Sequence, residues 1–336
     1  MFSKKSLLTI TMLLALSLVL FACGGGTSDG GDEGGDGEEG GADEEFIQIL
    51  TGGTEGTYYP LGGTFAQVIN DNVDGVEEAN ATSTGASVEN MNSMSEGDGE
   101  IAFTQTDIAS YAAEGEVMFD EANEDFGAIG TLYPETIQIV TTQDSGIESV
   151  EDLEGQTVSV GAPGSGTYAN ADNILDIHGL DIEEDIEARD LDFGDSTTGI
   201  QDGTIDAAFI TSGTPTGAVE SLAASVDVNI VSVSEDKAQE LMDEFSYYSE
   251  DEVPEGTYGL EEAVPTVAVQ AMLVAHSDLS EDVVYDITKA IFENTDAISH
   301  DKGEEIDAES ALNGVGVDLH PGAQKYFDEE GIEAEE

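Results

Sequence analysis

The chain has 336 residues, 39% of them hydrophobic, and carries 74 acidic side chains against 7 basic ones, a formal net charge of −67. A field of that sign repels a phosphate backbone, so a nucleic-acid partner is excluded. A single cysteine excludes an internal disulfide framework, and regular blocks of Ile, Val, Leu, Phe and Tyr beyond residue 45 exclude a disordered acidic chain.

In chain order, Lys4 and Lys5 precede an apolar run from Leu7 to Ala22. At about 15 residues the run is short for a membrane span of roughly 20 and suits the hydrophobic region of an export signal. It stops at Cys23, and Leu20-Phe21-Ala22-Cys23 resembles the lipobox of bacterial lipoproteins, in which a peptidase cuts before a cysteine that then carries acyl chains. The expectation is a signal peptide over residues 1–22 and a lipid anchor at Cys23. A chance cysteine near the end of a signal peptide is the alternative; no second cysteine exists to pair with it.

Loss of the leader removes Lys4 and Lys5 and makes the acidic excess larger still. Like charges at this density oppose compaction at ordinary ionic strength, whereas molar salt shortens the screening length to about 3 Å. The composition therefore predicts an exported protein of a halophile. Residues 23–45 are nearly all Gly, Asp and Glu; they bury nothing and are expected to form a flexible tether with an end-to-end distance of roughly 25–30 Å.

The remaining stretch of about 290 residues exceeds what one core usually serves, which predicts two lobes. Internal resemblance agrees. A strand-like Phe46 to Leu50 runs into GGTEGTY (52–58), and a strand-like Thr157 to Val160 runs into GAPGSGTY (161–168). Asp98-Gly99 leads into IAF (101–103), as Asp202-Gly203 leads into TIDAAF (204–209). Each half is read as an αβ unit on one plan, with parallel strands and right-handed crossovers. Helical periodicity is carried by Leu61, Phe65, Val68 and Ile69, by Tyr168, Ala171, Ile174 and Leu175, and by Val283, Val284, Ile287, Ile291 and Phe292. Strands are read at 137–141, 230–233 and 267–274, and the runs at 137–142 and 266–275 are the candidates to cross between lobes. The expected division is lobe one at 46–140 plus 265–336 and lobe two at 141–264.

A glycine turn that opens a helix leaves backbone N–H groups pointing outward, where the helix dipole favours an anion. Ser165, Gly166 and Thr167 stand in that position; the alternative is that these glycines only make a tight turn. A phosphate loop is excluded because Thr167 stands where its lysine would be needed. Gly164, Gly166 and Ala169, with Glu184 further on, match a dinucleotide pattern superficially, but an exported protein meets no such cofactor pool, and no cofactor is expected. His178, His276, His300 and His320 lack metal-ligand spacing, no metal is expected, and there is no G-x-S-x-G elbow. Tyr58, Tyr59, Gln105, Tyr133 and Tyr168 end strands or open helices, where a cleft reading a small polar solute wants such groups.

GGTEGTYYPLGG (52–63), TGASVENM (84–91), AFTQTDIA (102–109), TLYPE (131–135), SVEDLEGQTVSVGAPGSGT (149–167), DGTIDAAF (202–209), SGTP (212–215) and LHPGAQKYF (319–327) together resemble the TAXI family of solute-binding proteins. The resemblance implies an α/β, two-lobed periplasmic-binding-protein-like fold of type II with the ligand in the inter-lobe cleft. It implies a monomeric receptor, not an enzyme, that delivers a solute to an ion-driven TRAP membrane permease. The solute is expected to be a small carboxylate: glutamate or a related acidic amino acid, a dicarboxylate or a 2-oxoacid. Carried onto this sequence, the resemblance gives Thr54, Tyr58, Ser87 and Gln105 from lobe one and Ser165, Gly166 and Thr167 around one carboxylate from lobe two. Gly213, Thr214 and Pro215 are expected on the opposite wall, and Tyr133 over the solute near the hinge. A ligand-sensing lipoprotein that feeds a signalling partner and an exported enzyme on the same fold are the alternative readings.

Overall fold

A computed structural model describes residues 45–334, so the expected signal peptide, Cys23 and all but the last residue of the tether lie outside the described residues. Ten strands form one sheet in the order β2-β1-β3-β10-β4-β7-β5-β6, with β8 added to β4 and β9 to β10. The first half contributes β1 (Glu45–Leu50), α1 (Tyr58–Asn72), β2 (Val76–Thr82), α2 (Ser87–Glu96), β3 (Ile101–Gln105) and α3 (Thr106–Glu114). After β4 (Phe126–Thr142) the second half repeats the plan with β5 (Thr157–Ser159), α4 (Thr167–Ile177), β6 (Glu187–Arg189), α5 (Phe193–Asp202) and β7 (Ala207–Ser212). Then follow α6 (Gly217–Ala223), β8 (Val228–Val231), α7 (Glu235–Glu244), β9 (Ser249–Val253), β10 (Val264–His276), α8 (Glu281–Glu293) and α9 (Pro321–Glu330).

The two halves mirror each other strand for strand. In the first, β1 lies parallel between β2 and β3; in the second, β5 lies parallel between β6 and β7. Each inner strand then meets a long antiparallel neighbour, β10 against β3 and β4 against β7. The short turn into each parallel strand requires a crossover, and the intervening helix supplies it.

Four apolar clusters cover the faces of the sheet. Ile47, Ile49, Leu61, Phe65, Ile69 and Phe103 pack with Ile287, Ile291, Tyr326 and Phe327 of α8 and α9 on one face of the first half. Val88, Met91, Met94, Ile108 and Met272 fill its other face. In the second half Val158, Ile174, Leu175, Phe209 and Leu241 form one cluster, and Ile200, Ile210, Val219 and Leu222 the other.

The long strands belong to both halves. Val267 and Val269 of β10 are in the second half's core while Ala271, Leu273 and Ala275 are in the first's. Likewise Ile129 and Leu132 of β4 serve the first half and Ile137 and Ile139 the second. The strand read at 137–141 is thus the end of a strand that begins at Phe126, and the one read at 230–233 lies two residues earlier, at Val228–Val231. Gly127, Gly130 and Pro134 interrupt the strand pattern in the first half of β4, and β10 answers with register shifts at Ala271/Met272 and Leu273/Val274.

The four histidines all serve the backbone. His178 pairs its ring Nδ1 with Ile174 O, and Nδ1 of His276, His300 and His320 accepts from the N–H of Asp278, Lys302 and Gly322 respectively. His320 thereby caps α9, whose first residue is Pro321. No group of His, Cys, Asp and Glu that could hold a metal ion occurs among the described residues.

Candidate functional site

The loops that leave β1 and β5 face each other across a cavity of about 270 Å³. Its walls come from the 52–58 loop, the start of α2, the end of β3, β4, the 162–167 loop, the start of α5 and the end of β7. Several helices are closed by their own side chains: Asp192 caps α5, Ser234 caps α7 and Ser280 caps α8. Of the helices that open on the cavity, α5 is closed in this way, whereas α1, α2 and α4 have no side-chain cap. Their first amides are left for something other than a local serine or aspartate.

For α2 that something is the other half of the protein. The carbonyl of Gly164 accepts from Val88 N at 2.9 Å and from Glu89 N at 3.0 Å. Thr57, at the head of α1, shares a hydrogen bond of 2.9 Å with Ser212 at the end of β7, and Ala218 N donates to Glu55 O at 3.3 Å. Deeper in, Gln105 Nε2 donates to Asn170 Oδ1 at 3.2 Å, and Asn170 Nδ2 donates to Asp107 Oδ2 at 2.9 Å. The two halves are therefore closed on each other around the cavity.

Two positions of the second half's loop require glycine. Gly161 holds φ +97, and a Cβ on it would lie 2.5 Å from Ser165 Oγ and 2.7 Å from Thr167 Cβ. A Cβ on Gly166 would run into Gln105 Oε1 and lie 2.8 Å from Ile108 Cγ1, so only glycine lets α4 approach β3 this closely.

The polar lining is unusual in sign and in pairing. Glu55, Glu135, Asp192 and Asp195 contribute carboxyls, while no lysine, arginine or histidine lines the cavity. Glu135 is buried and accepts from the Tyr58 hydroxyl at 2.9 Å. Burial pushes its carboxyl up to about 8, against the pull of Tyr58 and Gln105, with the Asp107 charge adding to the rise and Lys302 opposing it. Burial likewise pushes Asp107 up to about 7. Three lining residues carry buried polar atoms without a partner: Gln105 Oε1, Ser165 Oγ and Thr211 Oγ1. Protein interiors rarely leave such atoms unpaired, and a cluster of them around one cavity marks places a ligand can satisfy.

Of the residues singled out from the sequence, Thr54, Tyr58, Ser87, Gln105, Ser165, Gly166 and Thr167 line this cavity. The other four do not. Tyr133 is turned into the core, its ring 6.0 Å from Lys302 Nζ and its hydroxyl buried. Gly213 lies under the Lys302 side chain, with a carbonyl that accepts from Thr57 and Thr216. Thr214 precedes Pro215 through a cis peptide, and Pro215 borders a smaller adjoining pocket. The Lys302 side chain thus lies against Tyr133 and Gly213, where a solute was expected.

Glu135, Thr211, Ser212 and the head of α5 were not anticipated. The signal for α5 was present: it occupies in the second half the place that α2 occupies in the first, so the duplication itself assigns its N-terminus to the same cavity.

Two mirrored α/β halves, joined by strands that pass through both and enclosing a polar cavity, define a two-lobed periplasmic-binding-protein-like fold. Residues 49–331 match the NMT1-like family, and the chain belongs to that family. Among solved structures, a protein of Bordetella bronchiseptica RB50 is similar at 18% identity with TM-score 0.52, covering 85% of this chain and 82% of its own. The binding-protein component of a phosphonate ABC transporter of Pseudomonas aeruginosa is similar at 13% identity and TM-score 0.50, covering 78% of each chain. The aliphatic sulphonate binding protein SsuA of Escherichia coli aligns at 14% identity and TM-score 0.45, covering 84% of this chain and 83% of its own.

Proposed function

We propose that this protein is the extracytoplasmic solute receptor of a TRAP transporter, held at the membrane by a lipid on Cys23, and that it delivers a small carboxylate solute to an ion-driven permease. Lobe one would comprise 46–140 plus 265–336 and lobe two 141–264, turning about β4 and β10. The observation that carries the reading is the closed cavity with unpartnered Gln105 Oε1, Ser165 Oγ and Thr211 Oγ1 in its lining and two uncapped helix N-termini, α1 and α4, at its edge. Hydroxyls and helix amides recognise carboxylate without a fixed cation. The eight motifs shared with the TAXI family support the choice of TRAP over other transporters, and the solute classes follow from that resemblance: an acidic amino acid such as glutamate, a dicarboxylate or a 2-oxoacid.

The mechanism is capture by closure. A solute that touches Ser87 and Gln105 on one side and Ser165 and Thr167 on the other favours the closed state by its differential affinity. The permease then reads only that state.

Thermal unfolding of the purified chain in about 2 M NaCl tests this, with L-glutamate, succinate, 2-oxoglutarate, taurine and methylphosphonate as probes. A solute at 100 times its dissociation constant stabilises by about 2.7 kcal/mol. A rise in melting temperature with one of the three carboxylates is the expected result. A rise with the sulfonate or phosphonate alone overturns the carboxylate assignment.

A further inference from the structure

Of the four carboxyls that line the cavity, Glu55, Asp192 and Asp195 are exposed at its rim, whereas Glu135 is 2% exposed. An ionised Glu135 would set a buried negative charge against a carboxylate solute in a cavity lined by no lysine or arginine. Its surroundings do not offset that charge. Tyr58 of α1 donates to it and the Gln105 amide of β3 lies beside it, but Tyr133 on its own strand is a phenol held well above 10 and Asp107 of α3 is another acid. Among the described residues the cation facing it, Lys302 in the 301–305 turn, is bound to Glu305 Oε1 at 2.6 Å.

Resting on the carboxylate reading above, we propose that Glu135 is a specificity-determining residue that presents a neutral carboxyl to the solute, so that a carboxylate oxygen is recognised by an O–H donor in place of a basic side chain. Tyr58 holds one oxygen of Glu135, Oε2, at 2.9 Å, which leaves the other to carry the proton. Hydrogen bonds of the O–H···O⁻ kind are short and strong. The arrangement turns the cost of burying an acid without a cation into a donor that a carboxylate can use. It also makes binding depend on a proton: with Glu135 titrating at about 8, burial being the main cause, the donor is present at pH 7 and largely gone at pH 9.

Isothermal titration with succinate, 2-oxoglutarate and L-glutamate in about 2 M NaCl, at pH 7 and pH 9, tests the proposal on the parent chain and on Glu135→Gln. The parent is expected to lose about tenfold in affinity between the two pH values. Glu135→Gln keeps an N–H donor but has no proton to lose, so whatever its affinity at pH 7 it is expected to show no fall at pH 9. Proton uptake on binding, read from the enthalpy in two buffers of different ionisation enthalpy, should approach one proton per solute at pH 9; this measurement needs only the parent. Flat affinity with no proton uptake overturns the proposal, as does a variant that keeps the parent's fall. Loss of L-glutamate binding at pH 7 in Glu135→Gln, with succinate unaffected, overturns it in favour of an ionised Glu135 that receives the solute's ammonium group. Failure of all three probes to bind a folded chain overturns the carboxylate reading itself, and this proposal with it.

Discussion

Gly164 supplies the cap that α2 lacks: its carbonyl, from the opposite half of the protein, takes the N–H groups of Val88 and Glu89 at 2.9 and 3.0 Å. Closure therefore satisfies a helix end that would otherwise be left to water, and the cleft is held by the same kind of group, a helix-terminal amide, that is proposed to receive the solute. Gly164 adopts φ +84, and a Cβ on it would lie 3.1 Å from the Cβ of Glu89, across the latch. Gly164→Ala is expected to weaken solute affinity by about tenfold, since a left-handed non-glycine residue costs roughly 1–2 kcal/mol and the added methyl presses on the partner half. Small-angle scattering with saturating solute should find a larger radius for the variant than for the parent. Unchanged affinity and radius would show that the latch is incidental.

Ser165→Ala separates binding from folding. The Ser165 hydroxyl is buried with no partner in the protein, and an unsatisfied buried polar group costs about 1–3 kcal/mol. Removal of it is expected to leave the melting temperature of the free chain unchanged or slightly higher, while the solute is bound roughly tenfold more weakly. A variant that melts lower and binds as before would make Ser165 a structural residue of the 162–167 loop.

Asp107 gives a pH dependence that needs no solute. Its carboxyl rises from 3.8 to about 7, chiefly through burial, against the pull of its backbone and Asn170 hydrogen bonds. Because the folded value lies above the unfolded one, the folded state holds more protons between these two values. From this group stability is accordingly expected to fall by up to about 4 kcal/mol as pH rises from about 4 to about 7, and Glu135, raised to about 8, extends the fall beyond that. Asp107→Asn should make the melting profile less steep in that window, leaving the part due to Glu135, since an amide keeps an acceptor for Asn170 Nδ2 without a charge to desolvate. A parent profile with no slope there would mean that Asp107 stays ionised in the closed protein.

The duplicated plan was open to reading because each half signals itself locally: a glycine turn after a strand, then an apolar helical stripe, then an Asp-Gly turn into a buried strand. Leu61, Phe65, Val68 and Ile69 do face one core, as the period required. The first half of β4 stayed hidden because Gly127, Gly130 and Pro134 are poor strand residues, tolerated here only because β10 shifts register beside them. Glu135 was hidden for a different reason. Among 74 acidic residues nothing local marks the one that tertiary packing removes from water. Gly213 was read as cavity wall because it follows a strand as the other ligand loops do; Lys302, nearly 90 positions away in the chain, lies against it instead, and no local pattern foretells such a contact.

Salt should act on this site in the direction opposite to its usual effect on charged partners. The rim carboxyls Glu55, Asp192 and Asp195 are exposed, and the whole chain carries a net charge of −67, so an anionic solute approaches against a repulsive field. At 0.1 M salt the screening length is about 10 Å, comparable to the mouth of a cleft, and at 1 M it is about 3 Å. Stopped-flow measurement with L-glutamate or succinate is expected to show the association rate constant rising by about tenfold between about 0.2 and 2 M NaCl, with the dissociation rate constant changing far less. The buried contacts at Gln105, Ser165 and Thr211 are screened little by salt, which is why the effect falls on arrival and not on departure. A steady loss of affinity with added salt, in a chain shown to be folded throughout, would overturn both the anionic solute and the adaptation to brine.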